Sequence, residues 1–163
     1  MQYRLPFGGG SGAGVTINPI AFLVIQSDNV KLMPVNYSSS LDKMMDYLKS
    51  ENENATDEEP MKDIYFWNIQ ESGKSQSQLV EMLNDRVNQK YGCGIRTGKL
   101  MSEKYYVYLD DGLYTGSRLR KDIKRCIEMI PEGSRIDVIY MIACQSGLDF
   151  SKRKEEYIKN LLI

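Results

Sequence analysis

The sequence feature that most constrains the fold is the segment that spans residues 105–127. It opens with an unbroken apolar and aromatic run at residues 105–109, which is typical of a buried strand. Asp110 and Asp111 follow where that strand is expected to end, and a small polar turn then leads into a helical pattern. The apolar residues of this pattern fall on one helical face, namely Leu119, Ile123, Cys126 and Ile127. The segment therefore predicts a strand, an acidic tip, a turn and an amphipathic helix.

The turn before the helix suits a phosphate group. Thr115, Gly116 and Ser117 offer backbone N–H groups and two hydroxyls at a helix start, where the helix dipole adds partial positive charge. Asp110 and Asp111 can accept hydrogen bonds from sugar hydroxyls or hold a hydrated Mg²⁺. In open α/β sheets ligands bind at the carboxyl ends of strands, where this tip is expected. The alternative interpretation is a strand end followed by a solvated acidic turn.

The spacing Asp-Asp-x-x-x-Thr-Gly after a hydrophobic strand resembles the motif with which type I phosphoribosyltransferases bind 5-phosphoribosyl-1-pyrophosphate (PRPP). The resemblance implies that Asp110 and Asp111 contact the ribose hydroxyls, act in catalysis and hold Mg²⁺. It implies that the residues of the turn wrap the 5′-phosphate, namely Thr115, Gly116 and Ser117. Arg118 stands where the family often has Thr, and its guanidinium can grip a phosphate.

A second loop is a candidate for anion binding. A strand is predicted at residues 63–68, and a loop then runs through Gly73, Lys74 and Ser75 into a helix. These last three residues of the loop are similar to the end of a P-loop motif. Asn68 stands where that motif needs its first glycine, so the P-loop interpretation fails. In phosphoribosyltransferases a loop at this place in the chain holds the pyrophosphate, which implies that role for Lys74 and Ser75. The alternative is a solvated turn with a helix cap.

Strands and helices alternate from residue 63 onward, and a long apolar strand is predicted at residues 135–144. This order is typical of parallel α/β units. The predicted fold class is α/β, with a phosphoribosyltransferase-like parallel sheet and flanking helices, preceded by a small β-hairpin and a helix. Residues 1–50 carry the hairpin and helix, residues 51–62 form an acidic linker, and residues 63–163 form the α/β domain.

The first fifty residues carry a different pattern. A glycine-rich run at residues 8–14 precedes a strand at 15–25, a second strand at 30–35 and a helix at 38–48. The run Gly-Gly-Gly-Ser-Gly-Ala-Gly, the strand that begins at Pro19 and the segment Lys-Leu-Met-Pro-Val are similar to the C-terminal half of the YtfJ/GerW family of sporulation proteins. This resemblance implies a spore-forming bacterium and a cytoplasmic or forespore protein.

Composition narrows the possible functions. The chain of 163 residues has a net charge of -1 and no histidine. The charge argues against bulk electrostatic binding, so no nucleic-acid partner is expected. The lack of histidine excludes Ser–His and Cys–His catalysis. No stretch approaches 18 apolar residues, which predicts no membrane span. Three widely spaced cysteines favour thiols in a reducing cytoplasm.

Three functions stay open. The first is a domain that binds PRPP or a nucleoside 5′-phosphate, and its active form transfers a phosphoribosyl group with Mg²⁺ as the cofactor. The second is a sporulation-associated structural or interaction protein without catalysis. The third is a regulatory module that binds PRPP or a nucleotide without turnover. In the first and third cases the partner is a small phosphorylated sugar or nucleotide.

Overall fold

The structure is a computed structural model that describes residues 3–4, 16–21, 24–25, 37–99, 101–113 and 117–144. Within these ranges the strands and helices follow in the order β1 (Tyr3–Arg4), β2 (Thr16–Ala21), β3 (Val24–Ile25), α1 (Tyr37–Glu51), β4 (Ile64–Trp67), α2 (Ser75–Tyr91), β5 (Arg96–Gly98), β6 (Tyr105–Leu113), α3 (Ser117–Cys126) and β7 (Arg135–Cys144). None of the described helices is long and apolar enough to cross a membrane.

One sheet joins the strands in the order β1-β2-β7-β6-β4-β5, and β3 also pairs with β7. The pairing is parallel everywhere except between β1 and β2. The central pair is β6 with β7, in register from Tyr105 opposite Arg135 to Leu113 opposite Ala143. The predicted α/β class with a parallel sheet and flanking helices is confirmed. Because the strands are parallel, their carboxyl ends meet at one edge of the sheet.

Helices cover the sheet on two faces. Successive side chains of a strand point to opposite sides. In β6, Val107 and Leu109 belong to a cluster with α1 and α2, whereas Tyr106 and Tyr108 belong to a second cluster with α3. All four side chains are fully buried. This burial on both faces explains why β6 and β7 read as nearly continuous apolar runs.

Helix α1 shares the core of the residues that follow it. Leu41, Met44, Met45 and Leu48 recur at helical spacing and are buried in the same cluster as Ile64 of β4. Helix α1 ends at Glu51, inside the acidic segment at residues 51–62. In that segment Asn52 is buried and donates to the backbone carbonyl of Lys62, and Met61 joins the cluster. The described part of residues 37–51 therefore packs directly on the α/β sheet.

A network of hydrogen bonds and ion pairs around a buried carboxylate of β7 fastens α1 to the sheet. Asp137 of β7 is 0% exposed, and Arg135 binds both of its carboxylate oxygens at 2.8 and 2.7 Å. The hydroxyls of Tyr105 and Tyr47 donate to Asp137 Oδ2 at 2.8 and 3.3 Å. Arg135 also reaches Glu51 at the end of α1. Burial raises the pKa of Tyr47 and of Tyr105, which keeps both hydroxyls protonated as donors.

Two details concern the predicted strands. The first strand of the predicted hairpin belongs to the main sheet, where β2 and β3 pair in parallel with β7. The predicted second strand, residues 30–35, lies outside the described residues. The prediction that the strand of residues 105–109 ends at Asp110 is wrong, since β6 continues to Leu113. Pairing with β7 extends the strand past its apolar run, because the backbone ladder does not require apolar side chains.

We predict that Arg135→Ala lowers the free energy of unfolding by about 3–5 kcal/mol, because it leaves the Asp137 carboxylate buried without its cation. The matched control is Arg96→Ala, which removes an arginine paired with Glu103 but 50% exposed, and which costs about 1 kcal/mol or less. Urea unfolding followed by circular dichroism measures both. Equal losses in the two variants would contradict the assigned role of Arg135.

Candidate functional site

Four of the residues predicted to form a site meet near the carboxyl end of β6 and the start of α2. Ser75 Oγ donates a hydrogen bond to Asp110 Oδ1 at 3.1 Å. The backbone N–H of Asp111 donates to the same oxygen at 3.0 Å. Arg118 Nη1 donates to Ser75 Oγ at 3.4 Å, so the second loop and the start of α3 are joined through one hydroxyl. Both segments that the sequence marked as anion-binding candidates therefore belong to one site.

The two carboxylates have different surroundings. Asp110 is 4% exposed, whereas Asp111 is partly exposed and lines a groove beside α2. They differ because both lie within β6, where neighbouring side chains point in opposite directions. Burial, followed by the nearby Asp111 carboxyl, raises the pKa of Asp110 to about 6. Asp110 therefore holds Ser75 in place, and Asp111 is the carboxylate that a ligand can reach.

The start of α2 is open to an anion. Lys74 is the N-cap residue and makes no side-chain hydrogen bond to the first turn of the helix. The amides at the start of a helix need an acceptor, and they carry the positive end of the helix dipole. Gly73 precedes it with φ +88°, a conformation that favours glycine, and the guanidinium of Arg118 lies beside it. Lys74 is exposed at this point, so the site combines two cationic side chains with a helix start.

Gln76 organises the loop that leads to the site, and sequence reasoning missed it. Its side chain is fully buried, and its Oε1 accepts from the backbone N–H groups of Ile69 and Gln70. Its Nε2 donates to the carbonyl of Leu109 in β6. One side chain therefore fixes the loop after β4 against the strand that carries Asp110. The sequence did contain one signal: Gln76 stands four residues before Val80, which puts it on the apolar side of α2.

A second buried network supports the loop from the side of α3. Gln70 Nε2 donates to the hydroxyl of Tyr108 at 3.0 Å, and that hydroxyl donates to Asp122 Oδ2 at 2.9 Å. Arg125 binds Asp122 and donates to the carbonyl of Ile69. Burial raises the pKa of Tyr108, so its hydroxyl remains a donor. The loop is thus held by α2, β6 and α3 together, which keeps the site preorganised.

A groove of about 460 Å³ opens beside Ser75 and Asp111. This volume lies within the range of small-molecule sites. The described residues that line it come mainly from α2, namely Ser75, Gln78, Leu79, Glu81, Met82 and Asp85, together with Asp111 from β6. The groove therefore extends the site along α2, and both polar and apolar side chains line it.

The remaining predicted residues are placed as follows. Ser117 is exposed at the first position of α3, and Arg118 follows it. Thr115 and Gly116 lie outside the described residues, as does the glycine-rich run at residues 8–14. Among the described residues no group of three or more acidic or cysteine side chains is arranged to hold a metal ion. With Asp110 buried, Asp111 is the carboxylate that a hydrated Mg²⁺ would meet.

We predict that Asp110→Asn stabilises the protein above pH 7 by about 3 kcal/mol and has almost no effect near pH 4. The raised pKa means that the folded state binds more protons than the unfolded state between about pH 4 and pH 6. Stability of the unaltered protein therefore falls as pH rises through that window, and the variant lacks this loss. Asparagine retains an oxygen that accepts from Ser75 and from the Asp111 amide.

Urea unfolding at several pH values measures the difference between Asp110→Asn and the unaltered protein. The control is Asp63→Asn, which removes one exposed charge at the amino end of β4, far from the site. A stability difference for Asp110→Asn that does not change with pH would contradict the assigned burial cost.

Two protein families match parts of the chain. No solved structure matches the chain. Residues 2–50 match the family described as sporulation protein YtfJ. An uncharacterized spore protein YtfJ of Bacillus subtilis (strain 168) is 44% identical over 46 residues, which are 28% of this chain and 30% of the relative. The chain thus spans less than a third of that relative's length.

A second match covers most of the chain and includes α1, every described element after it and the site. Residues 29–162 match the family described as PRTase-CE. Both resemblances predicted from the sequence, to phosphoribosyltransferases and to YtfJ, are confirmed as resemblances. The match from residue 29 agrees with the packing of α1 on the sheet. The chain belongs to the PRTase-CE family, and its α/β domain is phosphoribosyltransferase-like.

Proposed function

We propose that this chain binds PRPP or a nucleoside 5′-phosphate where α2 and α3 begin. The observation that carries the proposal is the contact from Arg118 through Ser75 to Asp110. It brings the predicted pyrophosphate loop and the predicted PRPP motif into one site, although they are distant in the chain. Membership of the PRTase-CE family supports the same ligand class.

The pyrophosphate, the ribose and the 5′-phosphate of the ligand each contact different groups of this site. The pyrophosphate, or the phosphate of a nucleotide, lies against Arg118, Lys74 and the uncapped start of α2. The ribose hydroxyls donate to Asp111, which is accessible, while Asp110 acts as a positioning residue through Ser75. The 5′-phosphate is assigned to the turn at Thr115, Gly116 and Ser117, as the motif implies.

In an active form, a nitrogen of a purine, pyrimidine or orotate acceptor would form a bond to C1 of PRPP while the bond from C1 to the pyrophosphate oxygen breaks and pyrophosphate leaves. When Mg²⁺ is bound to the pyrophosphate, it supplies charge neutralisation on the leaving group. The chain's own contribution is to orient the ribose and to place cationic groups where negative charge grows on the leaving group. This chemistry needs no histidine, in agreement with the composition.

The similarity to YtfJ supports a second proposal, which concerns where the domain works. A sporulating cell, with the protein in its cytoplasm or forespore, is the setting that the first fifty residues favour. Helix α1 belongs to this stretch and also packs on the sheet. A sporulation role would therefore act through the same folded unit that carries the ligand site.

We predict that the full chain binds PRPP with a micromolar dissociation constant when Mg²⁺ is present, as measured by isothermal titration calorimetry. Arg118→Ala and Asp111→Asn are each expected to weaken binding about tenfold or more, because each removes a charged hydrogen-bond partner of the ligand. The control is Asp63→Asn, which lies at the amino end of β4 and away from the site, and it is expected to bind like the unaltered protein.

The outcomes separate the candidate functions. Lack of binding by the folded full chain contradicts the proposal and favours the sporulation role. Binding that is followed by release of pyrophosphate in the presence of a purine, pyrimidine or orotate acceptor indicates a transferase. Binding without release for every acceptor indicates a regulatory module that senses PRPP.

A further inference from the structure

The side chain of Gln70 joins several parts of the candidate site, although no sequence motif marked this residue. Its Nε2 donates to the hydroxyl of Tyr108 at 3.0 Å, and its Oε1 accepts from Ser75 Oγ at 3.5 Å. The same side chain hydrogen-bonds to the Asp110 carboxyl. The backbone N–H of Gln70 donates to Gln76 Oε1 at 3.0 Å. Gln70 therefore contacts α2 and β6 at once from the loop between β4 and α2.

The hydroxyl of Tyr108 determines which way the Gln70 amide faces. Asp122 is 4% exposed, and its carboxylate accepts from Tyr108 at 2.9 Å and from Arg125 at 2.7 Å. A carboxylate paired with an arginine only accepts hydrogen bonds, so the single hydroxyl proton of Tyr108 goes to Asp122. The Tyr108 oxygen can then only accept, which turns Gln70 Nε2 toward it and leaves Gln70 Oε1 for Ser75.

The orientation of Gln70 in turn fixes the hydroxyl of Ser75. This hydroxyl has one proton, and the acceptors beside it are Asp110 Oδ1 at 3.1 Å and Gln70 Oε1 at 3.5 Å. With its proton shared between these two oxygens, the Ser75 oxygen accepts from Arg118 Nη1 at 3.4 Å. The guanidinium of Arg118 also lies beside Gly73 in the loop. A continuous chain of hydrogen bonds therefore runs from the buried Asp122 to the cation of the candidate site.

We propose that Gln70 and Tyr108 are positioning residues of the ligand site. Acting through Ser75, they hold Arg118 where the pyrophosphate of PRPP, or the phosphate of a nucleotide, binds. Both roles rest on the function proposed above, and they add two residues that lie outside the predicted anion-binding motifs. A cation that is held in place before the ligand arrives binds more tightly, because less conformational freedom is lost on binding.

A purely structural network would have a different signature. It would contribute to the free energy of unfolding but leave the ligand affinity of the folded chain unchanged. Tyr106 provides a matched control, because it is buried on the same side of β6 as Tyr108. Its hydroxyl also has a partner, since it accepts from the backbone N–H of Glu103 at 2.6 Å. Removal of either hydroxyl breaks a buried hydrogen bond, but only the hydroxyl of Tyr108 is linked to the loop.

The test measures two ligands separately on the full chain by isothermal titration calorimetry, namely pyrophosphate with Mg²⁺ and ribose 5-phosphate. Tyr108→Phe and Gln70→Met are each expected to weaken pyrophosphate binding about fivefold or more and to leave ribose 5-phosphate binding within about twofold. Tyr106→Phe is expected to keep both affinities within about twofold. The double variant of Tyr108 and Gln70 is expected to lose no more affinity than the weaker-binding single variant, because the two residues act in series.

The failures of the two proposals are distinguishable. If the folded, unaltered chain binds neither ligand and does not bind PRPP, the proposed function is wrong and the positioning roles are wrong with it. If the unaltered chain binds pyrophosphate and Tyr108→Phe binds it as tightly as Tyr106→Phe does, only the positioning roles are wrong. Equal weakening of both ligands also overturns these roles, because it indicates a general disturbance of the site. Circular dichroism first establishes that each variant is folded, and Gln70→Met carries the test if Tyr108→Phe is unfolded.

Discussion

The rest of the structure depends on the parallel pairing of β6 with β7. This pair runs the length of both strands, and the other strands of the sheet add to its two sides. Its side chains supply the centre of both apolar clusters, so α1 and α2 dock on one face and α3 on the other. Buried backbone groups must be hydrogen-bonded, and the ladder between these two strands satisfies them where no water can. The candidate site lies near the carboxyl end of β6, so this pairing also sets its position.

Three buried carboxylates, Asp110, Asp122 and Asp137, differ in their hydrogen-bond partners. Asp137 and Asp122 are each paired with an arginine and with tyrosine hydroxyls. The contacts described for Asp110 are a serine hydroxyl, a backbone amide and the side chains of Gln70 and Asp111, and its pKa is raised to about 6. Charge without a bonded cation costs stability, and such costs are concentrated at functional sites. Asp110 therefore lies at the candidate site without the arginine partner that Asp122 and Asp137 each have in the described part of the chain.

Much of the fold could be predicted because its signals are local. The apolar run of β7 was predicted at residues 135–144, the bounds that the structure has, and the stripe of Leu79, Val80, Leu83 and Val87 lies on the buried side of α2. The end of β6 could not be predicted, since strand pairing carries it past its apolar residues into Asp110 and Asp111. The role of Gln76 was also hidden, because its partners come from the loop before the helix and from β6.

The sequence by itself determined the parallel α/β class, the two loops that are candidates for anion binding, and the resemblance to phosphoribosyltransferases and YtfJ. These follow from periodicity and from motifs that are contiguous in the chain. Tertiary structure alone decided that Arg118 meets Ser75, that Asp110 is buried while Asp111 is accessible, and that α1 shares the core of the sheet. The reason is physical: distances between residues remote in sequence, and the burial that sets the pKa of a carboxyl, exist only once the chain has packed.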